Sequence, residues 1–294
     1  MALQHYFKSA NVCPERCSCD TDRDSAVNVQ CGGRNLKRVP HTTKDEPVSL
    51  LNLSFNVLKT LEDDALLNYS SVKYLYIQHS QLFNINEKAF QGLENLTVVD
   101  LSNNRLTSIS SNLFKDNHLL EKLILRSNDL STLQWNKTLL NGPSSLSFLD
   151  LQSCKLSNIS SVTFSLILNL KILDISRNEL VLLNPDTLSS HRQLKDVNLE
   201  NNRWKCGTEF EVLLCWMQSK VALSHNRTVK CLHKNGTWQI WTPENRSSLC
   251  CPTTIPSPTP SNKPDRSTTT NVNPTTPFEK ETDNNCVLPW SLLI

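Results

Sequence analysis

Apolar residues recur through the middle of this chain in one arrangement, L-x-x-L-x-L-x-x-N-x-L-x-x-L. It starts at Val48, Val72, Leu96, Leu120, Leu146, Leu170 and Leu194, at spacings of 24, 24, 24, 26, 24 and 24 residues. The third copy reads Leu96, Val99, Leu101, Asn104, Leu106, Ile109, and the sixth reads Leu170, Leu173, Ile175, Asn178, Leu180, Leu183. The second and third apolar residues of a copy are two apart, so they share one face of a strand, predicted to be the interior face. The Asn falls where the chain leaves the strand, and its amide can bond backbone groups that no strand partner reaches. The last two apolar positions close the far side of a coil. One such coil cannot bury its apolar face alone, so coils must stack and share an elongated core. Each fully buried Leu then contributes roughly 1.5–3 kcal/mol. The expected product is a right-handed solenoid with a parallel sheet on its concave side.

Asn56, Asn104, Asn128, Asn178 and Asn202 hold five of the seven Asn positions, while Ser80 and Cys154 hold the others. Both are small and polar enough to substitute in part. For Cys154 a buried, inert side chain in the Asn column is the expectation over a reactive thiol.

This grid at this period resembles that of leucine-rich repeat proteins, and the resemblance spans roughly residues 13–251. It implies an α/β solenoid, a leucine-rich repeat horseshoe with a parallel concave sheet and about seven 24-residue repeats. It also implies disulfide-bonded caps and a disordered C-terminal stalk. Upstream of the repeats stand Cys13, Cys17, Cys19 and Cys31, spaced C-x3-C-x-C-x11-C. This is similar to the N-terminal cap of extracellular members of the family, and it implies pairing of Cys13 with Cys19 and Cys17 with Cys31. Downstream, Cys206, Cys215, Cys231 and the Cys250-Cys251 doublet resemble the C-terminal cap. That cap implies Cys206 with Cys231 and Cys215 with Cys250, with Cys251 an alternative fourth member. The family usually opens this cap with C-x-C, whereas eight residues separate Cys206 from Cys215. The C-x3-C-x-C spacing suits zinc poorly, so disulfides are expected and no metal. The expected divisions are 1–12 leader, 13–47 N-terminal cap, 48–202 repeats, 203–251 C-terminal cap and 252–294 stalk and tail.

Eight N-x-S/T sequons stand at Asn52, Asn68, Asn95, Asn136, Asn158, Asn226, Asn235 and Asn245. With cysteine-paired caps they point to glycosylation in an oxidising secretory compartment. Asn52 falls in a predicted concave strand. Trp238-Gln-Ile-Trp241 matches the W-x-x-W signal for tryptophan mannosylation, and the same pair reads equally as two packed cap residues. From Pro252 to about Thr282 the chain is Pro, Thr and Ser with almost nothing to bury, the composition of an extended O-glycosylated stalk. Residues 1–12 contain no apolar run of the length a signal peptide needs. The eight residues after Cys286 are shorter than the roughly 20 of a membrane span. A truncated chain is the expected resolution, with its membrane anchor outside this sequence, and the localisation expected is extracellular or cell-surface. Eleven cysteines leave Cys286, on the tail, as the candidate for an interchain disulfide.

The net charge of +2 without a basic block gives no footprint for nucleic acid. The seven His residues are scattered, and only six Gly occur, without a phosphate-cradling loop. No catalytic residue and no cofactor is therefore expected, and the chain reads as a non-enzyme. What remains is surface recognition. Two outward columns are predicted on the concave sheet: Leu50, Tyr74, Val98, Lys122, Phe148, Ile172, Asp196, and Asn52, Tyr76, Asp100, Ile124, Asp150, Asp174, Asn198. A third holds Ser54, Gln78, Ser102, Arg126, Gln152, Ser176 and Glu200. Exposed aromatics are the anchors that protein interfaces concentrate. The candidate ligand-binding residues are Tyr74, Tyr76, Asp100, Lys122, Arg126, Phe148 and Asp150, and the expected partner is a protein. A receptor or adhesion ectodomain is the leading expectation. Its alternatives are a secreted matrix or regulatory protein and an innate immune receptor.

Overall fold

The structure is a computed structural model. It describes residues 13–22, 25–42, 47–133, 136–217 and 228–242, together with the backbone of 218–220. Thirteen strands run in chain order: β1 (Ser18–Thr21), β2 (Val27–Gln30), β3 (Val48–Asn52), β4 (Thr60–Leu61), β5 (Tyr74–Tyr76), β6 (Asn84–Ile85), β7 (Val98–Asp100), β8 (Lys122–Ile124), β9 (Phe148–Asp150), β10 (Ile172–Asp174), β11 (Asp196–Asn198), β12 (Val229–Leu232) and β13 (Trp238–Trp241). Nine form one sheet in the order β1-β2-β3-β5-β7-β8-β9-β10-β11. Only β1 and β2 are antiparallel, and from β2 onward every pair is parallel. The molecule is a solenoid of about seven coils, each giving one short strand to this sheet.

The core is the stacked interior of the coils. Leu51, Leu75, Val99, Leu123, Leu149, Leu173 and Val197 occupy equivalent strand positions and are all fully buried. A second column closes the opposite wall. Leu66, Phe90, Phe114, Leu140, Phe164 and Leu188 are each at most 1% exposed, and Phe90 and Phe114 stack with centroids 4.8 Å apart. Among the described residues the return paths are turns, the short parallel pair β4–β6 and three short 3-10 segments. Among the described residues the one α-helix, α1 (Thr208–Lys220), belongs to the C-terminal cap.

The Asn column ties each coil to the one before it. Asn178 Nδ2 donates to Leu151 O (2.9 Å) and Ile175 O (3.0 Å), and its Oδ1 accepts from the amides of Cys154 (2.8 Å) and Leu156 (3.1 Å). Asn104 does the same for Ile77 O, Leu101 O and the amides of Ser80 and Leu82. Ser80 and Cys154 keep the outward donation, Ser80 Oγ to Leu53 O and Cys154 Sγ to Leu125 O, and Ser80 Oγ also accepts the Asn56 amide at 3.4 Å. Neither short side chain reaches two successive amides as an Asn Oδ1 does. Their own main-chain carbonyls take the neighbouring amides instead, Leu58 N–H to Ser80 O and Leu130 N–H to Cys154 O, both at 3.0 Å. The residue after each, Gln81 and Lys155, then turns left-handed (φ 58° and 56°). Cys154 is fully buried and unpaired, and burial pushes its thiol up to about 12.

Both ends are covered. β1 and β2 form a hairpin over the first coil. Disulfides Cys13–Cys19 and Cys17–Cys31 staple it, and the Tyr69 hydroxyl donates to Pro40 O across the junction (2.7 Å). At the other end Trp204 is fully buried, donates its indole N–H to Leu199 O (2.8 Å) and stacks on Phe210. Helix α1 follows because Phe210, Leu213, Leu214 and Met217 fall on one helical face, all buried, and Glu209 and Glu211 suit its positive end. Cys206–Cys231 joins the helix's start to the β12–β13 hairpin, and Cys215 is also disulfide-bonded. Cys250, Cys251, Cys286 and the Pro/Thr/Ser segment lie outside the described residues, as does the 1–12 leader.

Candidate binding face

The parallel register aligns Leu50, Tyr74, Val98, Lys122, Phe148, Ile172 and Asp196 in one row. Asn52, Tyr76, Asp100, Ile124, Asp150, Asp174 and Asn198 form the next. In the first row Tyr74 is 39% and Ile172 36% exposed. The Lys122 ammonium lies 4.5 Å from the centroid of the Phe148 ring, a cation–π pair between adjacent strands.

The second row differs from the expectation of open charge. Asp100 and Asp150 are only 5% and 7% exposed. Each strand ends at this row, and the amide two residues on finds no strand partner. Asp100 Oδ1 accepts the Ser102 N–H and Asp150 Oδ1 the Gln152 N–H, both at 2.9 Å, and Asp174 Oδ1 does the same for Ser176. Asn198 Nδ2 donates to Asp174 Oδ2, so the row is a polar ladder that closes the strand ends. Burial raises the Asp150 carboxyl above the usual range, opposed by the Gln152 amide and, more weakly, by Arg126 3.9 Å away. The Tyr76 phenol is raised as well, by burial and then by Asp100 and Tyr74. The third row is likewise drawn in at Ser54, Ser102 and Ser176, while Arg126 stays exposed. The candidates thus form two groups: Tyr74 and Tyr76 with Asp100 on the strand beside Tyr76, and the pairs Lys122–Phe148 and Arg126–Asp150, which both bridge the fourth and fifth coils.

Two residues with no place among the sequence candidates join this surface. Phe55 is 61% exposed and stacks on His79 with centroids 4.8 Å apart and planes 9° from parallel. Both occupy the left-handed position just before the Asn column (φ 58° and 51°), which Asn103 and Asn201 hold in other coils. Asn accepts this conformation readily, whereas a bulky aromatic side chain there is unusual. The two Asn are the signal that marks the position in the sequence.

The sequons divide by face. Asn52 is half-buried in β3, with Nδ2 donating to Gln30 Oε1 and Oδ1 accepting from the Ser54 amide, both at 3.0 Å. Asn68, Asn95, Asn136 and Asn158 are exposed and lie in the return segments. Asn235 is exposed in the β12–β13 turn, and Asn226 and Asn245 are outside the described residues. His191 is buried and bonded to Phe164 O (3.1 Å), a core residue. Among the described residues no three His, Cys, Asp or Glu side chains gather as a metal site. No helix of the described residues is long and apolar enough to cross a membrane.

The family model described as "Leucine rich repeat" matches residues 70–130 and 144–203, which hold strands β5, β7, β8, β9, β10 and β11 of this sheet. The chain is a leucine-rich repeat protein. This leucine-rich repeat chain is 28% identical over 230 residues to human oligodendrocyte-myelin glycoprotein, covering 72% of this chain and 51% of that one. It thus spans about half the length of that curated relative. The crystal structure of the TLR13–ssRNA13 complex matches 54% of the chain and 22% of its own at 30% identity, with a TM-score of 0.50. The crystal structure of human trophoblast glycoprotein matches 76% of this chain and 93% of its own with a TM-score of 0.54, at 23% identity, a likeness of fold. The homologues are extracellular leucine-rich repeat proteins.

Proposed function

We propose that this chain is an extracellular protein-binding module, the ligand-recognising part of a cell-surface receptor or adhesion protein. Its partner docks on the concave face across the second to fifth coils. The observation that carries this reading is the pairing of an aromatic and basic surface with the placement of the sequons. Tyr74, Tyr76, Lys122, Arg126 and Phe148 lie on the sheet, and the exposed solenoid sequons lie in the return segments. Glycans on those sequons leave the sheet open from the second coil onward. Asn52 bounds the face at the first coil. Tyr74 and Phe148 stand three strands apart, about 14 Å, well inside one standard interface. Asp100 and Asp150 support the face as structural carboxylates under Tyr76 and Arg126, and the aromatic and basic side chains supply the contacts.

The test begins with a screen of the glycosylated chain against extracellular domains, with single-stranded RNA as a parallel probe. Tyr76→Ala and Phe148→Ala should each weaken the partner found by at least about 1 kcal/mol, the threshold of an interface anchor. Leu168→Ser, at an exposed site in a return segment, should leave binding unchanged. Undiminished binding by the double alanine variant, with loss in Leu168→Ser, would place the interface on the other side. Tight binding of RNA alone would overturn the protein-ligand reading.

A further inference from the structure

The β12–β13 hairpin separates the two tryptophans of the W-x-x-W stretch. Trp241 pairs with Val229, is 7% exposed and packs into the cap. Packing therefore accounts for Trp241. It does not account for Trp238, which is 55% exposed on the opposite face of the same strand. There it stands across from Leu232 (36% exposed) and beside Ile240 (46% exposed), so three large apolar side chains face outward together on a two-stranded ribbon. The hairpin is pinned from behind by Cys206–Cys231, and its turn is fixed by Asn235, whose Oδ1 accepts from both the amide and the hydroxyl of Thr237.

We propose that Trp238 is a C-mannosylation site. The donor class is a polyprenyl-phosphate mannose. Indole C2 attacks the anomeric carbon, a carbon–carbon bond forms, the carbon–phosphate ester oxygen bond breaks, and the polyprenyl phosphate leaves. The C2 proton is lost to base and no redox partner is needed. The folded cap can carry the product only at the first tryptophan of the motif. A hexose on buried Trp241 would have to displace the core, whereas one on Trp238 lies over Leu232 and Ile240 and puts hydroxyls where the ribbon now shows hydrocarbon. The inference rests on passage through the secretory pathway, and the neighbouring sequon at Asn235 provides an internal record of that passage.

The chain of residues 1–294, behind a cleavable secretion leader, would be expressed in cells that contain the tryptophan C-mannosyltransferase. N-glycans would be removed with an amidase that converts each occupied Asn to Asp. The peptide holding Asn235 and Trp238 would then be fragmented by mass spectrometry. The expected result is one hexose that survives the amidase and mild base and maps to Trp238, and that is absent from Trp238→Phe and lost or sharply reduced in Trp241→Phe. Occupied sequons with a bare Trp238 would overturn this inference alone. A chain bare at Trp238 and at every sequon would overturn it together with the extracellular reading.

Discussion

Replacing Asn178 by alanine removes the tie between the fifth and sixth coils, and the loss can be followed group by group. The Asn side chain satisfies the amides of Cys154 and Leu156 and the carbonyls of Leu151 and Ile175. Ile175 O keeps a second donor, Asn202 Nδ2 at 2.9 Å. Three buried backbone groups are left without a partner: two N–H and one C=O. Leaving a buried group unsatisfied costs about 1–3 kcal/mol, so we predict a loss of about 3–5 kcal/mol after some relaxation. That is a large share of the roughly 5–15 kcal/mol that holds a domain. Asn178→Ser should cost less, about 1–2 kcal/mol, because a hydroxyl can recover Leu151 O as Ser80 Oγ does Leu53 O. The assay is urea unfolding of the secreted variants combined with native-state hydrogen exchange, since repeat arrays open locally. Protection should fall first at the Cys154 and Leu156 amides. Stability of Asn178→Ala within about 1 kcal/mol of the parent, with Leu156 still protected, would refute the ladder as a source of stability.

Leu173 is fully buried and Lys171 is exposed on the same strand entry, so Leu173→Asp should abolish secretion or folding, while Lys171→Asp should change the melting temperature little; equal effects would break the assigned register. The Cys154 thiol, raised to about 12, should resist alkylation at pH 8 in the native protein and react promptly in denaturant; native labelling at the unfolded rate would contradict its burial. Burial lowers the His191 imidazole below its ordinary 6.5, so the unfolded chain binds that proton more readily and stability is lost as the pH falls through about 6.5. The loss is bounded by about 1.4 kcal/mol per pH unit. It should shrink in His191→Asn, because Asn117 already makes the equivalent bond to Phe90 O; an unchanged pH slope between 7 and 5.5 would count against this group.

The strand register, the buried pair of each strand and the Asn column could all be read from the sequence, because period-2 alternation and a fixed repeat length leave few alternatives. The wall formed by Leu66, Phe90, Phe114, Leu140, Phe164 and Leu188 was harder to see. It lies beyond a return path of variable geometry, and the 26-residue spacing shifts its phase at Leu140. Asp100 and Asp150 looked like open charge, since alternation places them on the outer face. What turns them inward is a backbone amide two residues on that lacks a partner, and no side-chain pattern announces it. The stack of Phe55 on His79 escaped for a related reason. Their exposure follows from a left-handed backbone that leucine spacing does not encode.

The two interruptions of the Asn column have a mechanical consequence. Coils two to four and coils five to seven are each internally laced by amide side chains that both give and take hydrogen bonds. At the joints between coils one and two and between coils four and five the lacing runs through a serine and a cysteine, and we predict more compliance at the second, where weak sulfur bonds stand in for the amide. The second joint passes directly beneath the Lys122–Phe148 and Arg126–Asp150 pairs, which span it from coil four to coil five. A ligand seated on this surface would therefore grip both sides of that joint, and the curvature of the bound protein would report on how firmly it is held.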